Sequence, residues 1–290
     1  MEYLNALQSA AQQLLRDESA PLPGLQVLRS TRTTPIDAVV YHPVVCLILQ
    51  GEKVVSSGTH SVTLSAGQAL LVSHDLPVVS KITRASARQP YLALVLALDI
   101  ALARSLAESI GDRLPPVSAS QVLSCHPIEA NWCEPLMRYL ALRHDPLERE
   151  LLGPVVMREL VFRLLMSPIG IMLRNRLRAG SHADRIAQAI TYLQREFRSP
   201  LTVADLAGVS NMSTSSFHEH FKAATGTTPL QFQKDLRLIE ARSRLVGGEG
   251  AVSTVAFDVG YESATQFSRE YTRKYGSPPS ADLPRAHSVG

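Results

Sequence analysis

The sequence predicts an α+β protein of two domains, an antiparallel β-barrel with a helical hairpin followed by an all-α domain. Short β-type runs separated by turn residues fill the chain from about residue 24 to 98, and helical periodicity follows. A helix-turn-helix pattern near the C-terminus has a second copy about fifty residues upstream. The 290 residues suffice for two cores, and 45% apolar with 19% charged residues is typical of a folded globular protein.

The first region contains seven short runs of β-forming residues. Gly51, Gly58 and Gly67 lie between runs, where hairpins would reverse. Strands spaced about ten residues apart predict a sandwich or barrel, and the pattern leaves open whether its interior is a packed core or a ligand pocket. The seven runs are LQVLRS, VVCLILQ, EKVVSS, HSVTLS, QALLVS, PVVSKI and PYLALVLAL.

The N-terminus predicts an amphipathic helix rather than a targeting signal. It lacks the basic start and the continuous apolar core of a secretory signal, and no apolar stretch of the sequence is long enough to cross a bilayer. We therefore expect a cytoplasmic location and no membrane partner. The apolar stripe of this helix is Leu4, Leu7, Ala11 and Leu14.

Further helices are predicted at 101–110, 127–144 and 147–166. The last two would form a hairpin, and helix 147–166 has an apolar face that could cover the barrel or pair two subunits. That face contains Leu151, Val155, Leu160 and Leu164. After the hairpin, the segment SPIGIMLRNRLRAGS at 167–181 predicts a linker whose arginines either contact phosphates or are simply solvated. These arginines are Arg174, Arg176 and Arg178.

The C-terminal region contains the repeated pattern, within about 202–225 and 252–275. In the downstream copy, Gly260 provides a turn residue that tolerates positive φ, and Ser263 can cap the second helix. Asn211 takes the place of Gly260 in the upstream copy, whose turn is one residue shorter. The buried face of each second helix is predicted from aromatic residues at i,i+4 spacing, which indicate core rather than intercalating wedges. These are Phe217 and Phe221 in the first copy, and Phe267 and Tyr271 in the second.

Between the copies, residues 229–246 predict one long helix. At about 1.5 Å per residue it would be about 27 Å long, close to one turn of B-DNA. Two recognition helices held at that separation could enter successive major grooves.

No metal or cofactor site is predicted. The histidines of the barrel lack a closely spaced HxH pair, and the cysteines lack metal-ligand spacing, so we expect paired or partly exposed histidines and reduced, buried thiols. A net charge of +3 neither supports nor excludes nucleic acid. The histidines are His42, His60 and His74, and the cysteines are Cys46, Cys125 and Cys133.

Beyond these patterns, particular residues resemble a known family. The motifs SxSSFHxHFKAxTGxxP and AFxVGYESxxQFSREYxxxYGxPP, within 182–279, are similar to the AraC/XylS family of bacterial transcription regulators. HPVVCLILQG, GQALLVSHDLPV and PYLALVLALD resemble the N-terminal module of that family. The resemblance implies a cupin-like effector or dimerisation domain, followed by a seven-helix DNA-binding domain with two helix-turn-helix units joined by a long helix.

The resemblance also implies the domain limits and the function. We expect the cupin-like domain at 1–166 (barrel about 24–98, helices about 99–166), the linker at 167–181 and the DNA-binding domain at 182–282. The implied function is sequence-specific transcriptional regulation in response to a small molecule, and the sequence leaves open whether the regulator is an activator or a repressor. Its implied partners are double-stranded promoter or operator DNA, RNA polymerase and a second copy of the chain.

The family's DNA contacts can be carried over position by position. The base-reading positions are Ser215, His218 and Glu219 in the first unit, and Ala264, Thr265, Ser268 and Arg269 in the second. The phosphate-contacting positions are Ser213, Lys222, Ser263, Arg273 and Lys274. Glu219 departs from the basic residue common there, and a glutamate could accept a hydrogen bond from a cytosine amine.

Two other functional classes remain open at this point, although we expect no catalytic site. A cupin enzyme tethered to a DNA-binding module would hold stoichiometric metal. A non-specific architectural DNA binder would bind promoter and random DNA almost equally, whereas a specific regulator favours its site by at least about 10³.

Overall fold

The computed structural model describes residues 2–16, 21–116, 122–123 and 125–283. A β-rich N-terminal half precedes a helical C-terminal half, so the predicted fold class is confirmed. The predicted first domain also includes residues 1, 17–20, 117–121 and 124, which lie outside the described residues.

Nine strands of the described chain form two antiparallel sheets. The strands are β1 (Leu25–Ser30), β2 (Asp37–Tyr41), β3 (Val44–Gln50), β4 (Glu52–Ser57), β5 (His60–Ser65), β6 (Gln68–Val72), β7 (Leu76–Arg84), β8 (Tyr91–Ala97) and β9 (Cys125–Pro127). One sheet has the order β1-β8-β3-β6-β9 and the other the order β2-β7-β4-β5. All seven predicted runs are strands, whereas the pattern does not predict β2 and β9, which are short and lie at sheet edges.

The inner strands of the five-stranded sheet, β3, β6 and β8, are buried on both faces. Along β3, Val45 and Leu47 belong to a core shared with the N-terminal helices, whereas Cys46 and Ile48 belong to the core between the two sheets. A strand with no solvated face needs no polar residues in alternation, which explains the continuous apolar run VVCLILQ. The two cores are therefore separated by a single layer of strands.

Five α-helices of the described residues accompany the sheets in the N-terminal half. They are α1 (Glu2–Leu14), α2 (Ile100–Ile110), α3 (Ala130–Ala141), α4 (Pro146–Met166) and α5 (Ile171–Leu177). The hairpin of α3 and α4 covers the outer face of the five-stranded sheet. The predicted apolar face of α4 is divided, because Leu160 and Leu164 are buried in this core while Leu151 and Val155 are exposed.

The predicted linker is largely built into the first core, and a solvated connector is wrong for most of it. A 3-10 helix at Pro168–Gly170 leads into α5, and α5 buries Met172, Leu173 and Leu177. The Arg174 guanidinium is buried and donates to the carbonyl oxygens of Leu165 (2.6 Å) and Ser167 (2.8 Å). Arg174 therefore closes the end of α4, because those terminal carbonyls have no partner within the helix.

The C-terminal half consists, in its described part, of six α-helices and a closing 3-10 helix, where the resemblance implies seven helices. They are α6 (His182–Glu196), α7 (Val203–Val209), α8 (Thr214–Thr225), α9 (Pro229–Val246), α10 (Val252–Asp258), α11 (Ala264–Tyr275) and the 3-10 helix Pro279–Asp282. The long helix α9 has the predicted limits. No helix of the described residues is long and apolar enough to cross a membrane.

Two hydrophobic cores serve the C-terminal half. Residues of α6 to α8 and the first half of α9 continue the core between the two sheets, through Ile190, Phe217 and Phe232. The second half of α9 packs with α10 and α11 in a separate core around Phe267 and Tyr271. The first helix-turn-helix unit is thus fused to the β-sandwich, and the second has a core of its own.

Candidate nucleic-acid interface

The two helix-turn-helix units repeat the same local chemistry. The second helix of each unit has 12 residues and begins at a serine, Ser213 or Ser263, whose side chain accepts a hydrogen bond from a backbone N–H of the first turn at 3.3 Å. Each helix ends at a glycine with φ 75° and ψ 0°, namely Gly226 and Gly276. The predicted repeat and its one-residue difference in turn length agree with these bounds.

The turn of each unit depends on one residue with positive φ. Asn211 has φ 49° in the first turn and is the one non-glycine residue of the described chain with positive φ. Gly260 has φ 95° in the second turn, where a Cβ atom would lie 2.2 Å from the carbonyl oxygen of Arg198. Glycine is therefore required there for two reasons, the positive φ of the turn and the close approach of the backbone between α6 and α7.

The aromatic pairs predicted as core are buried. Phe217 and Phe221 have ring centroids 5.4 Å apart, as do Phe267 and Tyr271, and none of the four is accessible to solvent. Their packing fixes which face of α8 and α11 points outward.

Most predicted base-reading side chains lie on those outward faces. Ser215, His218, Glu219, Thr265 and Arg269 are exposed, whereas Ala264 and Ser268 are half-buried. The hydroxyl group of Ser268 donates to the carbonyl oxygen of Ala264 at 2.9 Å, so part of its hydrogen-bonding capacity is used within the helix.

The predicted phosphate-contacting residues divide into two groups. Ser213, Lys222, Ser263 and Arg273 are exposed. The Lys274 ammonium lies 2.6 Å from a carboxylate oxygen of Asp235, and only 14% of its side chain is exposed. This ion pair engages the charge within the protein, so we withdraw Lys274 from the phosphate-contacting set.

Helix α9 holds the first unit through terminal carbonyl groups. The side-chain amide of Gln233 donates to the carbonyl oxygens of Phe197 (2.9 Å) and Ser199 (2.8 Å), just beyond the end of α6. The guanidinium of Arg237 donates to Phe197 as well, at 2.7 Å. These donors satisfy carbonyl groups that the helix itself leaves free.

Helix α9 holds the second unit through two ion pairs with α11, Lys234 with Glu270 and Asp235 with Lys274. The Glu270 carboxylate accepts hydrogen bonds from Lys234 (2.8 Å) on α9 and from the hydroxyl group of Tyr261 (2.8 Å). Burial opposes ionisation of Glu270, but the hydrogen bonds from Lys234, Tyr261 and Gln266 outweigh it and lower the pKa of the carboxyl group below its ordinary value. Together with the ion pair between Lys274 and Asp235, these contacts fix α11 to α9.

A contact that the sequence does not predict joins the first unit to the β-sandwich. The hydroxyl oxygen of Ser57 lies 3.0 Å from the carbonyl oxygens of both Pro77 and Thr225, which share its single proton as acceptors. A Cβ atom on Gly58 would lie 2.0 Å from the carbonyl oxygen of Gly226. Two glycines that each satisfy a local turn also make a close backbone contact, and the sequence signals only their local role.

The barrel histidines and the cysteines carry no metal cluster. No group of three or more His, Cys, Asp or Glu side chains that could hold a metal ion occurs within the described part of the chain. His42 is exposed, and its Nδ1 lies 2.7 Å from a carboxylate oxygen of Asp75. His74 is buried, and its Nδ1 lies 3.3 Å from the hydroxyl oxygen of Ser73, so both histidines are paired as expected. Burial, with a smaller contribution from the Arg176 charge, lowers the pKa of His74 to about 4. Burial raises the pKa of the Cys46 thiol, as expected for a core cysteine.

Comparison with family models agrees with this two-part architecture. A model of the AraC-type transcriptional regulator N-terminus matches residues 21–172, and a helix-turn-helix domain model matches residues 206–284. The first match covers more than half of the chain. The chain belongs to the family of AraC-type transcriptional regulators, which confirms the family inferred from the sequence motifs.

Individual relatives are more distant. An AraC-like protein of Streptomyces lividans is 30% identical over 175 residues, which span 59% of this chain and 57% of that protein. The probable thc operon regulatory protein of Rhodococcus erythropolis is 27% identical over 256 residues, 84% of this chain and 75% of that protein. ToxT from Vibrio cholerae, a solved structure, aligns with a TM-score of 0.56 at 15% identity, over 89% of this chain and 96% of that chain. At that identity, the likeness establishes the shared fold.

Proposed function

We propose that this protein regulates transcription by placing α8 and α11 in successive major grooves of a specific DNA site. The proposal rests on the repetition of the helix-turn-helix unit at the two ends of one long helix, α9. Two 12-residue helices with outward polar faces are fixed to α9, which has 18 residues and is about 27 Å long. That length approaches the spacing of successive major grooves on one side of B-DNA.

Within the second unit, Arg269 and Thr265 are the proposed base readers, and Arg273 is a phosphate contact. Arg269 and Arg273 lie one turn apart on α11, and both are exposed. Neither guanidinium has a hydrogen bond or ion pair with another described residue, so both charges are available to a ligand. An arginine that binds guanine through two hydrogen bonds contributes about 1–3 kcal/mol of discrimination.

The proposal for the first unit rests on Ser215, His218 and Glu219, with Ser213 and Lys222 as phosphate contacts. Because Glu219 carries a negative charge, it would favour a cytosine amine and disfavour the acceptor groups of guanine. Ala264 and Ser268 of the second unit would contribute apolar or short polar contacts at the groove floor.

The test compares Arg269→Ala with Arg273→Ala, after the bound sites have been identified by genome-wide mapping. Arg269→Ala should weaken binding to the cognate site about tenfold more than binding to random DNA. Arg273→Ala should weaken both and flatten the dependence of affinity on salt, as expected for a lost phosphate contact. Equal losses on cognate and random DNA for Arg269→Ala would contradict base reading and favour a non-specific binder.

We assign the N-terminal half to effector binding and self-association. Our proposed limits extend the first domain from 1–166 to include α5 (Ile171–Leu177), which packs there, and keep the DNA-binding domain at 182–282. The exposed apolar side chains of α4 support a homodimer, and regulation of transcription implies RNA polymerase as a further partner and the cytoplasm as the location. We propose no enzymatic activity, since the outward-facing residues suit DNA contacts rather than catalysis.

A further inference from the structure

A cavity of about 450 Å³ lies between the outer face of the five-stranded sheet and the α3–α4 hairpin. Val45 and Ala69 of the sheet, Trp132 of α3 and Leu164 of α4 line it. Its volume falls within the range of small-molecule sites, about 300–1,000 Å³. The cavity is outside the β-sandwich, on the face opposite the core that continues into the first helix-turn-helix unit.

Ala69 creates much of this space. It lies on β6, where it pairs with Leu47 on the central strand β3 and with His126 on the edge strand β9. A methyl group at this position leaves a depression where its neighbours Leu47 and Leu71 fill theirs, because the outer face is otherwise built from larger aliphatic residues.

The walls are formed by well-fixed groups. The Trp132 indole is buried, and its N–H donates to the carbonyl oxygen of Leu160 at 3.1 Å, so the ring offers the cavity an apolar surface. The turn after α4, which includes Ser167, is held by the two hydrogen bonds from Arg174. A cavity with such walls needs little rearrangement to bind a ligand.

The mouth of the cavity carries a negative charge. Glu129 is exposed there, and one of its carboxylate oxygens accepts a hydrogen bond from the side-chain amide of Asn131 at 3.2 Å. The other oxygen has no hydrogen bond with a described residue. A carboxylate in this position repels an anionic ligand and attracts a cation or a neutral hydrogen-bond donor.

We infer that this cavity binds a compact, largely apolar or aromatic molecule whose polar end is an amine or another hydrogen-bond donor directed at Glu129. The inference rests on the proposed function, since it gives the effector class of the first domain. It excludes carboxylate ligands as the preferred class.

Trp132 makes the test direct, because it is the one tryptophan in the sequence and it lines the cavity. The full-length protein is titrated with three probes of one size, 3-phenylpropylamine, 3-phenylpropan-1-ol and 3-phenylpropanoate, while tryptophan fluorescence is recorded. The amine should give a saturable change with a dissociation constant on the order of 0.1–1 mM, as expected for about ten non-hydrogen atoms. The propanoate should bind at least about threefold more weakly than the amine.

Two variants test the location. Ala69→Leu fills the floor and should abolish the saturable change, whereas the same substitution at Ala101, exposed on α2, should leave it intact. Glu129→Gln is at an exposed position and should fold normally, and it should remove the preference for the amine over the propanoate. Circular dichroism and thermal unfolding establish that Ala69→Leu is folded.

Three results would overturn the inference. These are no saturable change with the amine, an unchanged titration in folded Ala69→Leu, and a propanoate that binds more tightly than the amine. Cognate-DNA binding is measured on the same preparation. A protein that binds its DNA site but not the probes therefore loses this inference alone, and the proposed regulatory function stands.

Discussion

Gly226 and Gly276 end the two recognition helices with the same backbone conformation, but their surroundings differ. A Cβ atom at Gly226 would lie 2.7 Å from the carbonyl oxygen of Ser57 and 3.0 Å from a ring nitrogen of His60. No atom of the described chain lies within 4 Å of the corresponding position at Gly276. Gly226 is therefore required both by its backbone conformation and by the close contact with Ser57, whereas Gly276 is required only by its conformation.

This pair gives a matched test of the contact between the first unit and the β-sandwich. Gly276→Ala should cost about 1 kcal/mol of unfolding free energy, because alanine is strained in the left-handed region. Gly226→Ala carries the same strain plus the clash with Ser57, and should cost at least about 1 kcal/mol more. Urea unfolding of both variants provides the comparison. Equal losses of unfolding free energy in the two variants would show that the backbone near Ser57 moves away from the added methyl group without an energetic cost.

Helix α9 belongs to the cores of both helix-turn-helix units. Phe232 and Leu236 lie in the core of the first unit, whereas Leu238 and Leu245 lie in that of the second. Since each half of α9 is packed into a different core, the relative position of the two recognition helices is fixed by one continuous helix.

The Glu270 network makes the attachment of α11 to α9 dependent on pH. Because the folded-state pKa of Glu270 is lowered, its ionised form contributes stability above the ordinary carboxyl range. That contribution is lost as the pH falls through the lowered pKa. Glu270→Gln should cost about 2 kcal/mol at pH 7, and the difference from the wild type should shrink on acidification.

Chemical unfolding at pH 7 and in the acid range checks this prediction. Glu262→Gln is the control, because Glu262 is exposed and lies just before the same helix. A difference between wild type and Glu270→Gln that stays constant with pH would show that the carboxylate charge contributes nothing.

The sequence predicts these elements well where a local signal exists. Both turns are defined by a residue with positive φ, Asn211 or Gly260, together with the serine that caps the next helix. Pro229 is the first residue of α9, as the sequence predicts. Local sequence patterns do not predict the burial of a side chain whose partners are distant in the sequence. Arg174 looks like a solvated linker residue, yet it is buried because the end of α4 needs donors. Lys274 looks like a phosphate contact, but Asp235, about forty residues away, pairs with it.

At the scale of the whole molecule, α4 presents an apolar surface that the rest of the chain leaves uncovered. Five of its exposed apolar residues, each four or seven positions from the next, form a stripe on the side opposite the buried face. The exposed members are Leu147, Leu151, Val155, Phe162 and Met166. Such a surface fits the self-association proposed above, since a second α4 would cover it.

Substitution within this stripe should dissociate the proposed homodimer. At about 10 µM we expect the wild type to sediment as a dimer and the double variant Leu151→Glu with Val155→Glu as a monomer, because two charges would be buried in each copy of the interface. Ala101→Glu is the control, because Ala101 is exposed on α2 and lies outside this stripe. A wild-type protein that is monomeric at this concentration would contradict the proposal, as would a variant that remains dimeric.

The division of the cores also bears on how such a regulator changes over evolutionary time. The core of the first unit is continuous with the β-sandwich, so a substitution there is felt by both halves of the chain. The core of the second unit contains no residue of the β-sandwich among those described. Under the proposed mode of DNA binding, the half-site assigned to α11 is therefore the less constrained one, and we expect descendants of this chain to acquire new target genes mainly through that half of the operator.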